Sequence, residues 1–454
     1  MSISDRQQRL FVAEDWTKLY QSFRNANFDS YDFDTIRRAM INYLQLNYPE
    51  DFNDFIESSE FISLVDLIAY VSQSISYRLD LNARENFLGT AQRRDSILRL
   101  ARFLNYKPKR NQAAQGLMKI TGLSTTEPVM DSMGNILSNT LVTWNDPINT
   151  DYVEQFTVIL NAAINNPQQI GKPVATKSLN GIKTDLYRFN LPAQTETYVR
   201  FNQIVEGQGL PFEIVGADIT AHDKIYESAP GDRNFGFLYR TDGKGNGSNN
   251  TGFFMYFKQG TRSSTEISFP FTIPNDIQQL GIININDSDV WLYQLDQYGD
   301  LSTPWTKLES SQGTNVIYNS LALANRKIYA VQTNDSDQIQ LEFGDGVFSE
   351  IPVGTFRAYV RAGNALTYTI DPSEMQGISV NIPYISRSGR TETLTLGLSL
   401  QTPVSNAQVR EPLESIKQNA PARYYTQNRM VNGEDYSNFP YTLYSSIVKS
   451  KAIN

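Results

Sequence analysis

From Phe61 onward the apolar residues fall at Phe61, Leu64, Val65, Ile68, Val71, Ile75 and Leu79, three or four apart. That spacing lines them along one face of an α-helix. Ser58 or Ser59 can cap the start by accepting a backbone N–H, Glu60 suits the positive helix end, and Gly89 can stop the run after Leu88. A second helix is predicted over 95–106. It carries Ile97, Leu98, Ala101 and Leu104 on one side and Arg93, Arg94, Arg99 and Arg102 mostly on the other, and Pro108 ends it. Residues 33–46 form a third helical candidate, and Pro49 is the only proline before Pro108.

The pattern changes near Gln112. Short alternating runs follow at Leu117–Gly122, Phe253–Phe257, Val290–Leu295, Lys327–Val331, Ile339–Phe343, Phe356–Val360 and Thr391–Leu400, separated by Gly, Asn and Pro. Such runs read as strands and turns. Val153–Ile164 has the spacing of a short helix, and Asp242–Gly252 reads as a flexible loop. After Pro403 a helix is expected over 409–419, stopped at Ala420-Pro421; a further helix is expected from Gly433 to about Tyr444, then a strand over 447–453. The fold class is therefore α+β and multidomain. An N-terminal helical segment (1–112) leads into a β-rich middle (113–380) and a small C-terminal α/β domain (381–454). The last predicted strand runs to the final residue, so continuation beyond 454 is expected.

The 454 residues carry 40 Lys and Arg against 48 Asp and Glu, a net charge of −8, which argues against nucleic acid as the main partner. No cysteine is present and His222 is the single histidine, so disulfides, thiolate metal sites, a Cys nucleophile and His-rich metal sites are excluded. His222 lies among exposed-looking residues and reads as a solvated side chain. The most apolar stretch, Phe61–Val71, is about half the length needed to span a bilayer, so no membrane insertion is expected. No basic and apolar leader opens the sequence.

Gly243-Lys244-Gly245-Asn246-Gly247-Ser248 lacks the order of a phosphate-binding loop and is followed by a strand pattern. Asn286-Asp287-Ser288-Asp289 and Asn334-Asp335-Ser336-Asp337 offer oxygen ligands for calcium, without the spacing of a calcium loop, and read as side-chain-supported turns. Gly344-Asp345-Gly346 between aromatic strands reads as a tight hairpin turn, with Asp345 bonding its own backbone. No catalytic residue, cofactor site or metal site is assigned. The basic cluster Arg93, Arg94, Arg99, Arg102, Lys107, Lys109 and Arg110 suits an acidic protein partner or a solvated face. Twenty-five tyrosines and 24 phenylalanines suit large contact surfaces. The 61–81 helix is apolar enough to need partner helices.

Several longer strings resemble the baseplate J-like family, specifically the large wedge subunits of T4-like contractile-tailed bacteriophages. They are Thr251-Gly252-Phe253-Phe254-Met255-Tyr256-Phe257-Lys258-Gln259-Gly260, Asp289-Val290-Trp291-Leu292, Phe343-Gly344-Asp345-Gly346 with Ile351-Pro352-Val353-Gly354, Tyr359-Val360-Arg361, and Tyr425 to Tyr436 (YTQNRMVNGEDY). One departure is the short Ala362-Gly363-Asn364, where many members carry a longer Gly-rich stretch.

The resemblance implies a structural subunit of the tail baseplate in the virion, assembled in the bacterial cytoplasm. Its implied partners are another copy of itself, a bundle partner, a small sheath-like wedge subunit, neighbouring wedges and, indirectly, the central hub. Phe61, Leu64, Ile68 and Ile75 are the candidates for a helical bundle with a partner. Arg429, Glu434, Asp435 and Tyr436 are the candidates for contact with the adjacent wedge. Members also continue into a C-terminal dimerisation region. The rival readings are a tail glycosidase or depolymerase, which needs a spaced carboxylate pair in a cleft, and a receptor-binding adhesin.

Overall fold

The computed structural model describes residues 32–47, 60–104, 106–126, 173–245, 247–308, 326–333, 338–347, 349–386, 389–426 and 433–437, with short pieces at 129–130, 136–138, 142–144, 430–431 and 450–451. The chain divides into two compact units, Met1–Phe103 and Leu104–Asn454.

The first unit is helical. Helix α1 (Phe33–Asn47) is capped by Asp32, whose carboxylate accepts the Thr35 N–H at 2.8 Å. It packs against α2 (Glu60–Glu85), and Arg37 Nε reaches Asp66 Oδ1 at 2.6 Å. Helix α2 stops at Glu85, short of the expected Leu88. The Thr90 hydroxyl donates to the Arg84 carbonyl at 2.7 Å, and the Glu85 carboxylate turns to accept the N–H groups of Gln92 and Arg93. Those bonds cap the start of α3 (Arg94–Phe103), which buries Ile97, Leu98 and Ala101. The expected caps Ser58 and Ser59 lie outside the described residues.

The second unit is built on two sheets. The larger has ten strands and runs Ile378–Ile385, Thr391–Leu400, Gln115–Thr125, Gly252–Gln259, Asn234–Thr241, Ile182–Asn190, Ala175–Leu179 across its main path. Every residue of the central strand Gly252–Gln259 is buried. One of its edges pairs with Gln115–Lys119. The other forks, its first half pairing with Asn234–Thr241 and its second with Gln208–Val215. Phe253, Met255 and Phe257 enter the main core, while Tyr256 faces a smaller one with Leu186, Val215 and Leu238. This two-sided burial explains why the strand reads as continuously apolar. The outer strands alternate instead: Ile378, Val380, Ile382 and Tyr384 against Leu394, Leu396, Leu398 and Leu400. Thr391–Leu400 pairs with Gln115–Thr125, and Ile378–Ile385 pairs with Thr391–Leu400, so residue 381 lies inside a strand of this β-body.

The second sheet has seven strands in the order Thr261–Phe269, Gly354–Ala362, Ile285–Leu295, Leu301–Leu308, Ile328–Thr333, Ile339–Glu342, Ile277–Leu280. It closes over its own core, where Trp305, Phe269, Phe343 and Phe356 meet edge to face.

Three expectations change here. Gly344-Asp345-Gly346 makes a turn, with Val347 N–H on Asp345 Oδ1 at 2.9 Å, but not a hairpin. The strands before and after it lie apart in the sheet and pair with other strands. Gly344 is required because Ser349 Oγ sits 1.2 Å from where a Cβ would be. The C-terminal helix α4 is Leu413–Thr426 rather than 409–419, and Pro421 lies inside it. Residues 404–411 are drawn off by pairing with 106–115: Gln112 exchanges backbone bonds with Gln408, and the Asn406 side-chain amide accepts from the Gln115 N–H and donates to the Gln115 carbonyl. Buried Glu411 then collects Tyr106 OH, Lys109 N–H, Ser415 Oγ and Asn419 Nδ2, and Ile416 and Ala420 are fully buried beneath the helix. Finally, the Asp242–Gly252 loop, read as flexible, is knotted by Asp242, which accepts from Ser248, Thr251 and Lys244. Those bonds hold its carboxyl at about 2. The loop does join two paired strands. The expected helix at 153–164 and the second Asn-Asp-Ser-Asp segment lie outside the described residues, as does nearly all of the expected 447–453 strand.

Candidate functional site

Two features stand out: a charge cluster sealed where the sheets join, and an apolar seam open to solvent.

The central strand Gly252–Gln259 passes through Gly260 directly into the first strand of the second sheet. Around that crossing the two sheets contribute charges to one buried cluster. Lys258 and Glu213 come from the large sheet, Arg262, Asp289 and Arg361 from the small one, and Glu227 from a short strand paired with Ala217–Asp218. Arg361 is fully buried and uses its whole fork. Its Nε donates to Glu213 Oε2 at 2.9 Å, both terminal nitrogens donate to Glu227, one of them at 2.8 Å, and one reaches Asp289 Oδ2 at 3.3 Å. Lys258 donates to Asp289 and lies 3.3 Å from Glu227. Arg262 closes the ring, with its backbone N–H on Glu213 at 2.8 Å and its guanidinium over the Tyr198 ring at 4.3 Å. Three cations thus face three carboxylates, and the cluster is close to neutral. A planar five-donor fork suits this multi-carboxylate geometry, where an ammonium would not.

Asp289 reaches the cluster through the Asn-Asp-Ser-Asp segment considered for calcium. The pairing register shifts between Ile285 and Val290, so the strand bulges there, which turns a side chain off the regular alternation. Asn286 Nδ2 then supports Asp289 Oδ2 at 3.2 Å, and Asn111 supports Asn286 at 2.9 Å. The Asp289 carboxylate is committed to Lys258 and Arg361. Among the described residues no group of acidic or His side chains has the form of a metal site.

Burial pushes the Glu227 and Asp289 carboxyls up, but Arg361 and Lys258 outweigh it and hold both below their ordinary values. Burial depresses Lys258, yet Asp289 and Glu227 raise it above its ordinary value. Unfolded, these groups titrate near 4.5, 3.8 and 10.5. The depressed carboxyls therefore contribute stability that is complete above their unfolded values and fades as the pH falls through them. The raised lysine contributes stability that is complete below 10.5 and fades as the pH rises past it. Urea midpoints should form a plateau from about pH 5 to 10 with a fall on the acid side. The Asp289→Asn variant should show a shallower acid fall; an unchanged profile would count against the cluster as its source.

The second feature is on α2. Ile62, Val65 and Ala69 are buried, while Leu64, Ile68 and Ile75 are 57%, 50% and 52% exposed. Val71 lies between them and is also exposed. The spacing 64, 68, 71, 75 is four, three, four, the seam that a second helix fits knobs-into-holes. Phe61 is within the helix.

The remaining sequence candidates fall apart. Glu434 and Tyr436 are exposed on the short helical turn 433–437, whereas Asp435 is buried and accepts the Val431 N–H at 2.9 Å. Arg429 lies outside the described residues. His222 is exposed beside Tyr226. Of the basic cluster, Arg110 is tied to Ile285 O and Thr333 Oγ1, while Arg93, Arg99 and Arg102 are exposed. No helix among the described residues is long and apolar enough to cross a membrane.

Comparison with known families gives two matches. Residues 116–403, almost all of the two-sheet region, match the family described as domain of unknown function DUF8360. Residues 32–103, which include the three N-terminal helices among the described residues, match the bacteriophage baseplate protein N-terminal domain. The helical unit is thus that of a phage baseplate structural protein, found in the tail baseplate of the virion among other baseplate proteins. No curated protein matches the chain.

Proposed function

We propose that this chain, which belongs to the DUF8360 family, is a non-enzymatic wedge subunit of a contractile-tail baseplate, dimerising within each wedge, linking wedges around the hub and passing on the rearrangement that triggers sheath contraction. The observation that carries this reading is the exposed Leu64–Ile68–Val71–Ile75 seam, which lies within the baseplate-matching residues and has the spacing of a helix-bundle interface. A long helix whose apolar stripe faces water is incomplete as a folded element, and a partner helix completes it.

The cluster carboxylates Glu213, Glu227 and Asp289 are sealed from solvent and saturated by cations, an arrangement that holds two sheets together rather than handling a substrate. A rigid β-body suits a subunit that carries force between neighbours, with the movement at interfaces.

Leu64→Asp together with Ile68→Asp should abolish wedge assembly with the other baseplate proteins while leaving the β-body's unfolding midpoint unchanged. Normal wedges from that variant, seen by electron microscopy, would remove the bundle assignment. Degradation of host polysaccharide or cell binding by the isolated chain would favour the depolymerase or adhesin instead.

A further inference from the structure

The seven-stranded sheet has two unlike ends. At one, Gly260, Arg262, Ile285 and Arg361 meet the large sheet through the charge cluster. The other end gathers the loops 270–276, 296–300 and 343–353. Phe269 pairs opposite Gly354, Gln294 opposite Phe356, Asn275 N–H reaches Gly344 O at 2.9 Å and Gln294 Nε2 reaches Val353 O at 3.0 Å. This end carries an apolar crown. Phe271, Tyr298 and Val347 are 74%, 80% and 72% exposed, and Ile273, Ile277 and Val353 are exposed beside them in sequence and fold. Large side chains gathered on loop tips and open to water mark a contact surface rather than a core.

Charge says what covers it. The same loops and their flanks hold Asp276, Asp296, Asp300, Asp345 and Glu350, against Arg326 and Lys327 among the described residues. Exposed Arg326 donates to the Gly346 and Val347 carbonyls, which leaves five carboxylates against two cations around the crown. Two crowns face to face would set acid against acid, so the crown does not pair with itself. Its complement has an apolar centre and a basic surround. Helix α3 offers one: Arg99, Arg102 and Phe103 lie on a single face at positions i, i+3 and i+4, Phe103 is 78% exposed, and Arg93 and Arg94 stand at the helix start, where Asp95 and the buried Glu85 carboxylate also lie.

We propose that the acidic-rimmed crown of one copy docks onto the Arg99–Arg102–Phe103 face of the next. The two surfaces differ, so a single such contact leaves one crown and one helix face free to bind further copies. It uses neither the α2 seam nor the bundle partner, so it stands or falls separately from the bundle assignment.

The test uses the full chain in sedimentation velocity. One variant alters the crown (Tyr298→Asp with Val347→Asp) and another the helix (Arg99→Glu with Phe103→Asp). All four positions are exposed, and circular dichroism with thermal unfolding checks that both variants fold. The unaltered chain should self-associate, more weakly as salt rises. Each variant alone should lose this salt-sensitive association by roughly tenfold or more, leaving at most the wedge dimer. Mixed one to one, they should regain it, since each supplies the surface the other lacks. No salt-sensitive association in the unaltered chain, its persistence in either folded variant, or a mixture that does not regain it would each overturn the proposal. So would a helix variant that still pairs through its crown. If a variant misfolds, the milder Tyr298→Ser and Arg99→Ser take its place with the same expected pattern.

Discussion

Arg361→Ala should cost the β-body about 3–5 kcal/mol, because removing one partner of a buried ionic cluster leaves the others desolvated and uncompensated. Arg361 bonds Glu213, Glu227 and Asp289 at once, and all three are buried. Lys258 and Arg262 remain near Glu227, but Glu213 then keeps only the Arg262 backbone N–H and the half-exposed Arg200. Urea unfolding read by tryptophan fluorescence checks the value, since Trp291 lies 6.0 Å from the Arg361 guanidinium. Arg361→Lys should recover little, because an ammonium cannot reproduce the fork across three carboxylates. Arg361→Met should be milder than Ala, since it refills the volume. A loss below about 1 kcal/mol for Ala would mean that water enters and solvates the acids, and the cluster would then not be what joins the sheets.

The cluster was legible in the sequence only as fragments. Lys258 ends the apolar run Phe253–Phe257, Asp289 opens Asp289-Val290-Trp291-Leu292, and Arg361 closes Tyr359-Val360-Arg361. Three of the strings that carry the family resemblance therefore each deliver one charge to the same place. A charged residue abutting a strand buried on both faces was the available signal, since such a charge must find a partner. Nothing in the spacing says which partner: Glu213 and Glu227 stand in no string, and Asp289 arrives by a bulge that alternation does not encode. Strand positions themselves were readable, as Thr391–Leu400 shows, because side-chain alternation is local. Which strands pair is not local. The Gly344–Gly346 turn reads as a hairpin in the sequence because a turn signal gives the reversal and is silent about what the returning strand meets. Pro421 misled for a related reason. An isolated helix would stop there, but buried Ile416 and Ala420 anchor this one across the proline. On α2 the apolar spacing was plain, yet spacing cannot divide residues between an internal neighbour and an external one. The structure spends Ile62, Val65 and Ala69 internally and leaves Leu64, Ile68 and Ile75 over.

The second large effect is expected at the crossing between the sheets. Gly260→Ala should destabilise the β-body by about 3 kcal/mol or more, from two sources that add. Gly260 has φ +118°, a conformation that a Cβ-bearing residue resists at a cost of about 1–3 kcal/mol. A Cβ there would also lie 2.6 Å from the Ala362 carbonyl oxygen and 3.0 Å from Arg361 Cγ. The first is backbone in a paired strand, and the second belongs to the side chain that holds the cluster, so neither can give way cheaply. The Gly260 N–H also bonds Pro211 O at 3.0 Å, which fixes the strand on its other side. Relief must come from moving Arg361 or separating the two sheets. Because both Arg361→Ala and Gly260→Ala act on that one joint, their costs should fall short of additive in the double variant. Hydrogen exchange offers the sharper check. Amides of Lys258–Arg262 and Val360–Ala362 should lose protection first, while Leu394–Leu400 in the large sheet stays protected until global unfolding. Uniform loss across both sheets would show that the β-body unfolds as one piece and that the joint is no weaker than its surroundings.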